Sequence, residues 1–271
     1  MKKHLIWAAA SAALLASCAK EETQTFTPAA TDLPQASITF VAEENADFTR
    51  AFFDNTTTTE AWEQSLSSLT VFCFEEGALV MRRNFTSAEL SSRRSTFALP
   101  RSTAGKSIEF YALANAAVDE NITTKTALLA LTEETPGSYN GTFANVSSKA
   151  LRSGGFLMSG TATKSIGAAG TTTEVAITLR RDVAKVAVQA SLSPAFADKY
   201  PGTVRITSVK LSRSAMQTPY FGGTPKTGAM TFTHTQTPGE TSGRFNALFY
   251  CFENAALASG SRVLLTLDGV Y

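Results

Sequence analysis

The chain has 271 residues, of which 44% are hydrophobic and 17% charged, an ordinary globular balance that excludes both a disordered and a membrane-embedded polymer. A formal net charge of +1 gives no electrostatic reason to expect nucleic acid as a partner. Two histidines and three cysteines leave few groups for metal or nucleophile chemistry, and the abundance of threonine and phenylalanine favours pleated, half-buried surfaces.

The N-terminus reads Met1-Lys2-Lys3-His4 and then an apolar run over residues 5–15. A basic start followed by so short an apolar run predicts a secretory signal rather than a membrane span. The run ends in Leu15-Ala16-Ser17-Cys18, which resembles the lipobox of bacterial lipoproteins. The resemblance implies a signal peptide over residues 1–17 and lipidation of Cys18. Lipid chains contribute about 0.8 kcal/mol per buried methylene, so two or three of them anchor a protein durably. Lys20, Glu21 and Glu22 follow, and resemble the surface-export signal of Bacteroidetes-type lipoproteins. Cys73 and Cys251 each sit in an apolar run, far apart, which favours two buried thiols over a disulfide.

Residues 19–35 are polar, with Pro28 and Pro34, and read as a tether. From Ala36 the chain alternates, Ile38, Phe40 and Ala42 on one face and Thr39, Val41 and Glu43 on the other, the mark of a strand. After the polar stretch 43–47 and Thr49-Arg50-Ala51 comes the loop-like run Thr56-Thr57-Thr58-Thr59. Further strands are predicted at 66–74, 78–82, 96–99, 107–114, 156–158 and 172–179. Glu75-Glu76-Gly77 forms a hairpin turn, and one helix is predicted over 123–131. Past Arg180-Arg181-Asp182 the strands predicted are 183–192, 204–212, 229–233, 244–252 and 262–267. Strands at such spacing, without regular helices between, predict an all-β chain of two tandem β-sandwiches, 51–181 and 182–271. The second has five predicted strands, where a seven-strand sandwich takes about 100 residues, and is expected to be incomplete, most simply through truncation.

Several segments together resemble the fimbrillins, subunits of type V pili in Bacteroidales-type bacteria. They are the lipobox, Thr49-Arg50-Ala51-Phe52, Leu69-Thr70-Val71-Phe72-Cys73-Phe74, Phe110-Tyr111-Ala112-Leu113-Ala114-Asn115-Ala116, Phe156-Leu157-Met158-Ser159-Gly160, Leu179-Arg180-Arg181-Asp182-Val183-Ala184-Lys185-Val186 and Phe249-Tyr250-Cys251-Phe252-Glu253-Asn254. The resemblance implies transthyretin-like (Ig-like) β-sandwiches and a fimbrial subunit held on the outer membrane by its lipid. It also implies a maturation cut by an arginine- or trypsin-like protease at Arg50–Ala51, so that residues 18–50 form a lipidated tether with a removable first strand. A strand from another fimbrial subunit then fills the vacated groove, and the fibre serves adhesion. Arg82, Arg83, Arg93 and Arg94, expected in loops, are competing cut sites.

No enzyme is expected. The carboxylate pairs Glu43-Glu44, Glu75-Glu76 and Glu133-Glu134 lie in turn-like segments, and Gly154-Gly155 and Gly222-Gly223 lack the context of a phosphate loop. His234 is alone in the mature chain, so no catalytic residue, metal or cofactor is expected. The alternative is a surface lipoprotein binding glycans, which Trp62, Tyr200 and Tyr220 could serve by stacking. The lipid assignment predicts that Cys18→Ala releases the protein from the membrane fraction; retention there would refute it.

Overall fold

The computed structural model describes residues 32–42, 63, 65–134, 155–223, 230–235, 244–254, 258 and 260–271. All of them lie in the compact unit Thr31–Tyr271. The fold is all-β, and its first half is a sandwich. Strands β1 (Gln35–Ala42), β2 (Leu69–Glu75), β3 (Ala78–Asn84), β4 (Arg94–Ala98), β5 (Ser107–Ala114), β7 (Met158–Ser165) and β8 (Thr172–Arg181) form one ladder in the order β3-β2-β5-β7-β8-β1-β4. β6 (Thr132–Glu134) lies outside it.

The ladder folds over where β7 meets β8, since these two strands share only the pairs Met158↔Arg181 and Ser159↔Arg180. At this fold the backbones nearly touch. A side chain on Gly160 would come within 2.3 Å of the Thr178 carbonyl oxygen, which leaves room for glycine alone. Alternate residues of the two layers then face one another. Leu69, Val71 and Cys73 of β2 and Ile108, Phe110, Ala112 and Ala114 of β5 share a core with Ala36, Ile38 and Phe40 of β1 and Val175, Ile177 and Leu179 of β8.

β2 is apolar at nearly every position because both its faces are buried. Phe72 and Phe74 point away from the sandwich core and join Leu113, Leu128, Leu157 and Phe221 in a second cluster. Helix α2 (Lys125–Leu129) supplies Leu128, and its start is capped by the Thr124 hydroxyl, which accepts from the Ala127 amide. The hairpin between β2 and β3 turns on Glu76 and Gly77, both at positive φ (48° and 85°), as a two-residue turn matched to strand twist requires.

Asn115 pins the end of β5 to two neighbouring segments. Its carbonyl accepts from the Ser67 amide (2.8 Å) and its amide donates to the carbonyls of Ser65 and Phe156 (2.7 Å each). Gly155, at φ 90°, lies so close that a Cβ there would sit 2.8 Å from the Asn115 amide nitrogen.

Two expectations need correction. The strand predicted at 156–158 is β7, Met158–Ser165, and runs further on; its serines and threonines are half or fully exposed and carry no apolar signal. Helices α1 (Ser87–Ser92) and α3 (Pro194–Lys199) add to the one helix that the sequence predicts. α1 begins with a capping box, Thr86 and Glu89 each bonding the other's backbone amide.

In the second half the five predicted strands appear as β9 (Val183–Ser191), β10 (Arg205–Ser214), β12 (Met230–Thr235), β13 (Arg244–Phe252) and β14 (Leu264–Val270). β9 pairs with β13, and β10 lies between β12 and β14. Val188, Val209, Leu211, Phe232, Phe249 and Cys251 form a core shared by β9, β10, β12 and β13. The short β11 (Gln217–Pro219) pairs back with β6 of the first half. Cys73 and Cys251 are free and buried in different clusters; burial pushes the Cys73 thiol up to about 12 and raises that of Cys251.

One residue, Asp182, separates β8 from β9. Here Glu63, almost fully buried, accepts from the Tyr250 hydroxyl (2.6 Å) and from Lys185 Nζ (2.7 Å), with Arg181 Nη1 at 3.8 Å. A buried carboxylate is tolerated only with such partners. Asp182 is less well served. Its Oδ2 is buried without a hydrogen-bond partner, and Ser159 Oγ reaches Oδ1 only at 3.5 Å. Burial first, and the charge of Glu133 second, push its carboxyl up to about 8 against the lowering effect of Ser159.

The folded state therefore binds a proton at Asp182 that the unfolded chain, with an aspartate pKa of about 3.9, gives up earlier. That contribution to stability is complete below about pH 4 and is lost as pH rises through about 8. The melting temperature should fall between pH 5 and 8.5 in the wild type and fall less in Asp182→Asn; equal slopes would contradict this account.

Candidate functional site

The candidate site is the slot that β1 occupies between β4 and β8. β1 alternates because its inward face is buried in the core while its outward face is covered only in part, and Ile38, Thr39 and Val41 add β-branched stiffness. It runs parallel to β8 over its full length, from Gln35↔Thr172 to Ala42↔Leu179. It runs antiparallel to β4 from Gln35↔Ala98 to Thr39↔Arg94. Backbone bonds extend both ladders: the Gln35 amide donates to the Thr171 carbonyl and the Leu99 amide to the Pro34 carbonyl, both at 2.8 Å. The inward side chains Ala36, Ile38 and Phe40 are fully buried, and Phe40 meets the Phe85 ring edge-on at 5.7 Å.

β4 stands at the end of the ladder, with β1 as its one strand partner among the described residues. It is also fastened by other means. Ser95 of β4 donates to Glu89 of α1, which also accepts from Arg83 of β3 (2.7 Å) and from the Thr86 amide (2.7 Å). Burial works against the Glu89 charge, but the bonds from Ser95, Thr86 and Arg83 outweigh it and hold the carboxyl down near about 2. Arg93, at φ 53°, closes α1 and leads directly into β4.

The outward face of β1 carries Ser37, Thr39 and Val41. Val41 is 53% exposed, whereas Ser37 is fully covered. Arg94 lies over it, donating from Nε (3.1 Å) and Nη2 (2.8 Å) to the Ser37 hydroxyl and from Nη2 to Glu174 Oε1 on β8 (2.9 Å). One side chain thus reaches from β4 across β1 to β8.

Cys18, Arg50, Ala51 and Trp62 lie outside the described residues. Of the competing arginines, Arg93 is in the turn that closes α1, as expected, whereas Arg82, Arg83 and Arg94 are in strands rather than loops. Arg82 and Arg83 are in β3 with their backbone paired to β2. The Arg82 guanidinium is bonded to the Val118 and Asp119 carbonyls, and Arg94 is in β4. Among the described residues no cluster of three or more His, Cys, Asp or Glu is arranged to hold a metal. His234 lies on β12, in register with Val209 of β10. The Arg94–Ser37–Glu174 contact and the Glu89 anchor had not been singled out in the sequence. The Thr86/Glu89 spacing is a local signal for the second, whereas nothing local joins Arg94 to Glu174, 80 residues away.

β1 is thus a strand with a buried inner face, set between a parallel and an antiparallel neighbour and ahead of Thr49-Arg50-Ala51 in the chain. The sequence matches the family described as fimbrillin-A associated anchor proteins Mfa1 and Mfa2 over residues 34–256. The chain belongs to this fimbrillin family. No curated protein matches the sequence. Among solved structures, a candidate cell adhesion protein from Parabacteroides distasonis has a TM-score of 0.59 at 16% identity, covering 89% of this chain and 76% of its own. A fimbrilin (fimA) from Porphyromonas gingivalis has a TM-score of 0.53 at 12% identity, covering 88% and 71%. The tip fimbrial protein Mfa3 of the same organism, with a C-terminal truncation, has 0.50 at 16%, covering 86% and 81%. At such identities the likeness is one of fold.

Truncating Phe40 to alanine should lower the stability of this fimbrillin by about 3–5 kcal/mol in urea unfolding, the usual result of emptying an aromatic core site. Val41→Ala, one residue on and facing outward, should change it by less than about 0.5 kcal/mol. Similar effects from the two would mean that β1 does not pack as described.

Proposed function

We propose that this protein is a structural subunit of a surface fimbrium that serves adhesion. It is exported as a lipoprotein, anchored in the outer membrane through Cys18, and cut at Arg50–Ala51 by an arginine- or trypsin-like protease. The cut frees β1, and a strand from another fimbrial subunit takes its place between β4 and β8. In this reading the subunit has two tandem sandwiches, 51–181 and 182–271, of which the first accepts the strand.

The observation that carries the proposal is the position of β1: its core side chains are fully buried, it separates two strands, and it precedes Arg50 in the chain. Losing it would uncover an apolar trough with unpaired edges on both sides, which is unstable in water and avid for a strand. An incoming strand would regain ladder bonds at about 1 kcal/mol net each. Burial of residues like Ile38 and Phe40 would add roughly 1.5–3 kcal/mol apiece. The Glu89 anchor to Arg83 and Ser95 supports the reading further, because it ties β4 to α1 and β3 independently of β1 and so favours a trough that outlasts the strand. The family's fimbrial neighbours fit the same role.

Limited trypsin treatment of the purified full chain should give a new N-terminus at Ala51 and, in time, a ladder of oligomers on a gel. Cleavage confined to other bonds, with Arg50–Ala51 intact, would rule out the proposed maturation.

A further inference from the structure

We infer that the slot selects its strand by register through Arg94 and Glu174. The replacing strand then carries a small side chain, serine, alanine or glycine, where β1 has Ser37, with a branched aliphatic residue one place later and an aromatic one three places later. The inference rests on the reading of β1 as replaceable and adds what kind of strand can replace it.

Ser37 points away from the core, where a strand residue is ordinarily wetted, as Val41 is at 53% exposure. It is covered nonetheless, because the Arg94 guanidinium occupies the space above it on the way to Glu174. By register Ser37 faces Thr96 on β4 and Glu174 on β8, while Arg94 faces Thr39. Arg94 therefore reaches diagonally back by two positions, a distance that a long side chain spans on one face of a sheet. Two of its donors end on the serine hydroxyl. Any larger side chain at this place would take the volume of the guanidinium and part Arg94 from Glu174.

The pair itself adds little stability, since Arg94 and Glu174 are 55% and 63% exposed. Its value lies in discrimination. A strand displaced by one residue turns its apolar side outward, and the core rejects it. A strand displaced by two keeps the alternation and offers apolar groups to the core, which tolerates such exchanges best. On the outer face the same displacement of a β1-like strand brings a glutamine or a threonine, as at Gln35 and Thr39, beneath Arg94. The arginine thus discriminates where the core is most permissive.

The test uses the full chain nicked by trypsin and a fluorescent peptide of residues 32–42 in excess, with capture measured by gel filtration. The native peptide and its Ser37→Ala form should be captured equally. The Ser37→Leu form should be captured about threefold to fivefold less, the size of one cross-strand contact. On an Arg94→Met chain this gap should close. Equal capture of the leucine peptide by the wild-type chain, or a gap that persists unchanged in Arg94→Met, overturns the selection and leaves the replaceable strand standing. Capture of no peptide at all overturns the replaceable strand, and the selection with it.

Discussion

The first sandwich depends on a strand held from both sides. β1 supplies three fully buried side chains to the core, and among the described residues its backbone is the one ladder that joins β4 to the rest of the sheet. The core, the order of the strands and the position of α1 are all consistent with this one placement.

Polar groups fix the edges of that arrangement. Glu89 draws β4, β3 and the start of α1 to one carboxylate, and Asn115 ties the end of β5 to residues 65–67 and 156. Both are local clamps made from buried or half-buried hydrogen bonds, which are expensive to leave unmade. Glu63 does the same where β8 gives way to β9, gathering Tyr250 and Lys185. Asp182, beside it, is the less satisfied neighbour, and its raised proton affinity follows from that.

Strands that are covered on one side announce themselves in the sequence. Ile38, Phe40 and Ala42 alternate with Thr39 and Val41, and that alone places β1; the solid apolar run of β2 reflects burial on both faces. Strand β7 shows only its start, because Thr161, Thr163 and Ser165 leave the rest almost no apolar face. The two helices are only six residues long, too short for a helical period to stand out, although the Thr86–Glu89 box and Ser193-Pro194 mark their starts by other means. The partners of β1 are illegible for a different reason. Thr172, beside Gln35, is 137 residues further along, and no local pattern records such a pairing. The same holds for Arg94 above Ser37, where a charged residue next to a helix end gives no hint of what it covers.

The parallel ladder of β1 with β8 has a geometric result. Two strands that run the same way cannot be joined by a tight turn, so whatever lies beside β8 must arrive from a remote stretch of chain. β1 accordingly reaches β8 across a long connection, from Ala42 to Thr172. β1 runs in one sense, from the Thr172 end toward Leu179. Were molecules joined through a strand of this same sense, they would all face the same way, and the two ends of such a string would differ: one with a gap unfilled, the other with a strand unplaced.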